Sequence, residues 1–210
     1  YDIRIGGENG YIVTNLKETS YIHEGLPFDT EYTYEVRAVN SKGASNWSEA
    51  YTTRTKLDRY RNVPKDISIT CSASDQPGTP IKNMVDGDNS TMWHTTWGIS
   101  QTPMEVKMDL KAVNEIEKFE YTPRPDAGNG TITKYDFSYS IDGRTWKDAV
   151  TDGVWARSKD VKTIKLDKPV KARYLKLYIK EAVGGFGSGY EFRPYRVDNS
   201  AVYPAGDYNA

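Results

Sequence analysis

A single cysteine among 210 residues rules out an internal disulfide, and two histidines leave little material for a catalytic triad or a zinc centre. No apolar run approaches the roughly 18 residues that a membrane-spanning helix needs. Charge of one sign is not in excess either. With 28 basic and 29 acidic residues the formal net charge is -1, which offers no bulk attraction for nucleic acid or an anionic membrane. Also absent are a Gly-x-Ser-x-Gly elbow, a phosphate-cradling glycine motif and His-Glu-x-x-His, so no recognisable catalytic signature is present. Tyr1 opens in mid-pattern without a charged and apolar signal segment, and the chain reads as a piece of a longer polypeptide.

Helical periodicity is scarce, whereas alternating segments rich in Tyr, Val, Ile and Thr recur between Gly, Pro, Asn and Asp turns. Tyr32–Val39, Glu105–Leu110, Tyr135–Ser140 and Arg173–Ile179 all alternate, and Asp142-Gly143 supplies a hairpin turn. Antiparallel sandwiches with one wet face per sheet need this pattern, so the fold class is all-β. Cys71 lies in one such stretch, Ile67–Ala73, and is expected as a buried thiol that leaves the redox compartment open. By the same periodicity Trp93, Trp146 and Trp155 read as core and Trp97 as exposed.

The strand signal lapses between Thr53 and Pro64, where the charged run Arg54–Arg61 intervenes. We divide the chain after Leu57, into 1–57 and 58–210. Leu26-Pro-Phe-Asp-Thr-Glu-Tyr32, Val36–Gly43 and Asn46-Trp-Ser-Glu49 resemble the later strands of a fibronectin type III domain, with Tyr32 as its corner tyrosine. The opening strands and their core tryptophan have no counterpart. The resemblance therefore implies an incomplete fibronectin type III (immunoglobulin-like) sandwich over 1–57, serving as a spacer.

The densest chemistry lies in Asn83–Trp97, where carboxylate, amide and hydroxyl oxygens precede an imidazole and two indoles. Oxygen donors around a glycine turn suit a hard cation such as Ca²⁺. A flat ring beside hydrogen-bonding groups suits a sugar. The loop Asp86–Thr95 is followed in order by Tyr121-Thr-Pro-Arg-Pro-Asp126, Asn129-Gly130, Ser140–Trp146 and Ala172–Leu177. Together they resemble the F5/8 type C, or discoidin, domain in its bacterial form, the family 32 carbohydrate-binding module, over nearly all of 58–210.

That resemblance implies a discoidin-type jelly-roll β-sandwich with a structural Ca²⁺ held by the Asn83 carbonyl, Asp86, Asp88, Thr91 and the distant pair Tyr190-Glu191. It also implies a saccharide site in which His94 and Arg124 read hydroxyls, Asn129 adds an amide, and Trp97 or Phe186 lies against the pyranose face. An axial hydroxyl read by His and Arg favours galactose or N-acetylgalactosamine. Pro125, where the family commonly has Gln, and the glycine-heavy stretch Gly184–Gly189 depart from the pattern. Bland readings stand beside each assignment: a metal-free Asx turn, His94 as a loop hydrogen-bonder, and Arg124 as a clamp for the Asp126 turn.

The expected function is that of a non-catalytic carbohydrate-binding region carried by a larger glycan-degrading enzyme. That parent is expected to be bacterial and extracellular, at the cell surface or periplasmic, with the parent catalytic domain as partner and no nucleic acid or membrane insertion. The alternative is a structural or protein- and lipid-adhesion discoidin domain that buttresses a parent glycoside hydrolase. Residues 198–210 carry no clear strand pattern.

Overall fold

The computed structural model describes residues 1–198, so the unassigned tail from 199 onward lies outside the described residues. Two compact units divide after Arg61, against the division after Leu57 drawn from the sequence. Both are built of strands, and the helical pieces among the described residues are three short 3₁₀ turns.

In the first unit the strands are β1 (Asp2–Ile5), β2 (Tyr11–Val13), β3 (Glu31–Arg37), β4 (Val39–Asn40), β5 (Gly43–Ala44) and β6 (Tyr51–Arg54). Four of them form an antiparallel sheet in the order β2-β1-β3-β6, and β4 and β5 make a small hairpin. Register gives the sheet two unlike faces. Ile5 aligns with Tyr11 and Tyr34, and Tyr34 with Tyr51. On the other face Asp2 pairs with Arg37 and Arg4 with Glu35, and both guanidinium groups lie over Trp47, at 4.5 and 4.7 Å. His23 is clasped between the hydroxyls of Tyr11 and Tyr34, at 2.9 and 3.0 Å. The hydroxyl that ties this loop down thus belongs to Tyr34 rather than to the expected corner residue Tyr32, whose ring packs edge-on to His23.

In the second unit the strands are β7 (Ser68–Cys71), β8 (Trp93–His94), β9 (Met104–Thr122), β10 (Ile132–Ser140), β11 (Lys147–Val154), β12 (Lys162–Ala182), β13 (Ser188–Gly189) and β14 (Glu191–Arg196). β9 and β12 are long because each serves both layers of a sandwich. The first half of β9 pairs with β7 and with the second half of β12, which in turn pairs with β10. The second half of β9 pairs with β14 and with the first half of β12. The strands change layer where the register slips, between Lys165 and Val170 and between Ala172 and Tyr174. Alternation then fills the interior from both sides. Met104, Val106, Met108 and Leu110 are buried while Lys107 between them is exposed, and Phe119 of one layer meets Phe137 of the other at 5.0 Å. Burying this cluster supplies about 25 cal/mol per Å² of apolar area, the main term favouring the fold.

Trp93 and Trp155 sit in the core as expected. Trp146 does not. It is half-buried on the outer face, with the Lys176 ammonium 4.4 Å from its ring centroid, because the turn after Ser140 swings it off the inward register. Cys71 is half-buried against the core, and burial pushes its thiol up to about 11, which keeps it protonated and unreactive. Entry and exit of the unit meet, since the Arg196 amide donates to the Asn62 carbonyl.

The Asp142 turn joins β10 to β11. Its carboxylate accepts from the Thr145 and Arg144 amides at 2.8 Å and from the Ser140 hydroxyl at 3.0 Å, and these bonds hold it well below the usual carboxylate range. A depressed value contributes stability above the ordinary Asp pKa, and that stability is lost as pH falls. Asp142→Asn should therefore flatten the acid limb of a urea-unfolding series taken below about pH 4, while leaving sugar binding unchanged.

Candidate functional site

Three loops meet at the end of the sandwich where β14 begins. β8 pairs with β13, placing His94 opposite Ser188 and Trp93 opposite Gly189. The Thr95 amide donates to the Gly187 carbonyl, and the Gly187 amide donates to the Thr95 hydroxyl. Gly130 ties in the third loop: its amide donates to the Val183 carbonyl, while its own carbonyl accepts the Ser188 amide. Gly187 is required here, because a Cβ would stand 2.5 Å from the Trp93 ring. At Gly130 φ is +88 and a Cβ would strike the Ser188 backbone at 2.6 Å, so glycine is required there too.

His94 is only 3% exposed, not open to water as an exposed sugar-reading histidine would be. The reason is local: β8 is two residues long and covered on both faces, so Trp93 and His94 are buried together and strand alternation fails. Its Nδ1 contacts the Thr95 carbonyl, which can only accept, so Nδ1 is the donor and Nε2 is the ring nitrogen left for another partner. Two aromatic neighbours frame the ring. Trp97 stands nearly perpendicular to it at 6.3 Å, and Phe186 lies tilted at 5.5 Å. Trp97 is 63% exposed and is anchored by its backbone amide, which donates to Gln76 Oε1 at 3.0 Å.

Arg124 is half-buried and donates to Asp126 Oδ2 at 2.9 Å, in a turn closed by the Ala127 amide on the Arg124 carbonyl. The clamp role is thus realised. The guanidinium also lies near enough to the Tyr121 hydroxyl to oppose the upward push that burial gives that phenol. Tyr121 in turn donates to the Ser188 carbonyl at 2.7 Å, one residue across the ladder from His94. Asn129 stands beside Gly184, whose Cβ would lie 3.0 Å from Asn129 Oδ1 and 2.9 Å from the Phe186 ring. Its carbonyl accepts the Ser188 hydroxyl at 2.8 Å. The five predicted sugar residues therefore lie on the three joined loops, with the Arg124 guanidinium turned to Asp126.

The acidic loop folds on itself. Asp86 Oδ1 accepts the Asp88 amide at 2.9 Å and Oδ2 the Thr91 hydroxyl at 2.7 Å, and Asp88 Oδ1 accepts the Ser90 amide at 2.8 Å. Asn83 spends its side-chain amide on the Met92 carbonyl. Glu191, 1% exposed at the start of β14, reaches this loop. Burial pushes its carboxyl up to about 7; Arg193 opposes the shift, the Asp86 carboxylate adds to it, and the Gly87 amide donates to it. Its Oε1 has no hydrogen-bond partner, and the Arg193 guanidinium is 3.6 Å away. Among the described residues no three His, Cys, Asp or Glu side chains gather as a metal-holding group. The arrangement here is instead a carboxylate pair among loop hydroxyls and carbonyls. A buried carboxyl with one oxygen lacking a hydrogen bond, raised by a neighbouring carboxylate and only partly offset by Arg193, is a costly arrangement that an oxygen-seeking cation would relieve, so the donors fit Ca²⁺.

Sequence reasoning missed the residues that brace the site. Asp75 accepts Trp93 Nε1 at 2.9 Å and the Ile81 amide at 3.0 Å, fixing both ends of the acidic segment. Gln76 sets Trp97, and Gln101 accepts the Ser74 amide beneath it. Their partners lie up to 27 residues away, so no local pattern signals them.

Comparison with known proteins adds the family. Residues 68–192 match the F5/8 type C domain. An A type blood N-acetyl-α-D-galactosamine deacetylase from Flavonifractor plautii is 31% identical over 160 residues, covering 72% of this chain and 20% of that protein. The chain thus spans about a fifth of the length of the curated relatives it matches. A solved module, CBM32-1 of a family 31 glycoside hydrolase from Clostridium perfringens, is 34% identical with a TM-score of 0.59, covering 66% of this chain and all of that one. The family 32 carbohydrate-binding module of C. perfringens NanJ, solved with galactose, is 29% identical with a TM-score of 0.58, covering 64% of this chain and 97% of that one. Motif order, two-layer sandwich and family match agree: the chain belongs to the F5/8 type C family, and its structural neighbours are carbohydrate-binding modules.

Proposed function

We propose that the second unit is a non-catalytic carbohydrate-binding module for galactose- or N-acetylgalactosamine-type sugars. The observation that carries this reading is the exposed Trp97 ring standing nearly perpendicular beside His94. With Nδ1 of His94 turned to the Thr95 carbonyl, Nε2 is the ring nitrogen left for a sugar hydroxyl that reaches in between the Trp97 and Phe186 rings. Trp97 supplies the stacking face, and Arg124 and Asn129 supply further donors from the adjoining loop. One or two rings held on an open rim give weak affinity, on the order of millimolar to tens of micromolar. The galactose complex of one relative and the galactosamine chemistry of another support the sugar class.

Ca²⁺ completes the loop in this reading, held by the Asn83 carbonyl, Asp86, Asp88, Thr91 and the Tyr190-Glu191 pair. It supplies counter-charge to Asp86 and Glu191 and fixes the segment that presents His94. The first unit is a fibronectin type III-like spacer, a reading its β2-β1-β3-β6 order supports. The parent is a larger extracellular or surface-bound glycan-active enzyme, and tethering through this module raises its local concentration on the glycan.

Isothermal titration with galactose, N-acetylgalactosamine and glucose tests the proposal. Saturable binding of the first two, weakened about tenfold by Arg124→Ala, is expected. Absence of binding to all three points to a structural domain, and liposome binding to an adhesion module.

A further inference from the structure

Beside the strip Thr122–Asp126 lies a depression of about 400 Å³ that the sugar site does not use. Pro123, Pro125 and Tyr190 wall it, and Asn89, Thr122 and Lys159 bring polar groups to it. Arg124 lies between the two prolines in the chain, so this strip borders both the depression and the first site.

The polar groups are sorted by one buried residue beneath them. Arg193 is 5% exposed and carries only donors. It donates to Asn89 Oδ1 at 2.8 Å and to the Thr122 hydroxyl oxygen at 3.2 Å. Both partners accept from Arg193. Asn89 must face Arg193 with its oxygen, which turns its NH₂ away, and the Thr122 hydroxyl, accepting there, has its proton free to donate to another partner. Lys159 is exposed and has no ion pair or hydrogen bond among the described residues. The acids nearby are committed to their own turns: Asp160 takes the Ser158 hydroxyl at 2.8 Å and Asp88 the Ser90 amide.

Two neutral donors and an ammonium complement a group with several acceptor oxygens and negative charge. A neutral hydroxyl would satisfy one donor and leave the ammonium unpaired, whereas a carboxylate or sulfate engages all three. We propose that Asn89, Thr122 and Lys159 form a second subsite that takes the carboxylate or sulfate carried on a glycan next to the sugar bound at His94. The proposal rests on the carbohydrate-binding reading above and narrows its ligand to acidic glycans.

Amide NMR titration of the full chain with lactose, 3′-sialyllactose and 3′-sulfated lactose tests it. Lactose should shift Thr95 and Gly187. The two acidic ligands should shift Asn89, Thr122 and Tyr190 as well, and bind about tenfold more tightly. Lys159→Gln should bring them back to the lactose value while leaving lactose itself unchanged. The relative strength of the sialyl and sulfated ligands says which anion the subsite prefers. If neither acidic ligand shifts Asn89 or Tyr190 and both bind no tighter than lactose, the subsite is overturned. Silence of Thr95 and Gly187 towards lactose instead refutes the sugar site, and the Asn89 set still reports on the subsite by itself.

Discussion

Chelation with EDTA is expected to lower the melting temperature of the second unit by roughly 5–10 °C, and added Ca²⁺ to restore it. A cation present at about a hundred times its dissociation constant stabilises the state it binds by about 2.7 kcal/mol, and a domain of this size shifts by a few degrees per kcal/mol. The physical source is Glu191, whose buried Oε1 lacks a hydrogen bond and whose carboxyl is raised by the nearby Asp86 carboxylate. Arg193, 3.6 Å away, offsets only part of the repulsion between the two carboxylates, and a shared cation would supply the rest. Glu191→Gln separates the effects. Removing the charge should leave the metal-free protein at least as stable as the parent, yet the melting response to Ca²⁺ should vanish. Calorimetry on both proteins, with and without EDTA, decides it, and an unchanged parent transition on chelation would remove the cation from the account.

Trp97→Ala should weaken galactoside binding by at least about tenfold with no change in melting temperature, because most of its indole faces water and its anchor is a backbone amide. His94→Ala should weaken binding further and also lower the melting temperature, since it empties a buried position between two rings and strands the Thr95 carbonyl. The contrast is diagnostic. A purely structural pair of residues would show the reverse, with binding absent in the parent and only the histidine variant altered. Titration calorimetry and thermal melting on the same samples read both quantities.

Much of this architecture is legible in the sequence because strand alternation is a local signal. Met104 to Leu110 and Leu175 to Ile179 alternate cleanly, and the first half of β9 and the second half of β12 bury the residues that their period selects, whereas Phe119, Glu120 and Tyr121 in the second half of β9 are buried in a row. The layer changes within those strands are not legible, since a register slip between Lys165 and Val170 depends on what lies across the interface. Likewise the motif order points to the loop cluster, yet it could not reveal that His94 is enclosed. Parity fails where a two-residue strand is covered from both sides. Trp146 fails for a related reason: the turn before it, knotted by Asp142, resets which face it presents. Asp75, Gln76 and Arg193 act on partners 18, 21 and 104 residues distant, and only the folded chain brings those partners to them.

The meeting of Asn62 with Arg196 has a mechanical meaning. β14 runs six residues from the loop end to that junction, about 20 Å at strand rise, so both leads of the unit emerge from the pole opposite its rings. Such a body can be spliced into a longer polypeptide as a side branch. Within this unit the end that carries His94, Trp97 and Phe186 is therefore left clear of both leads.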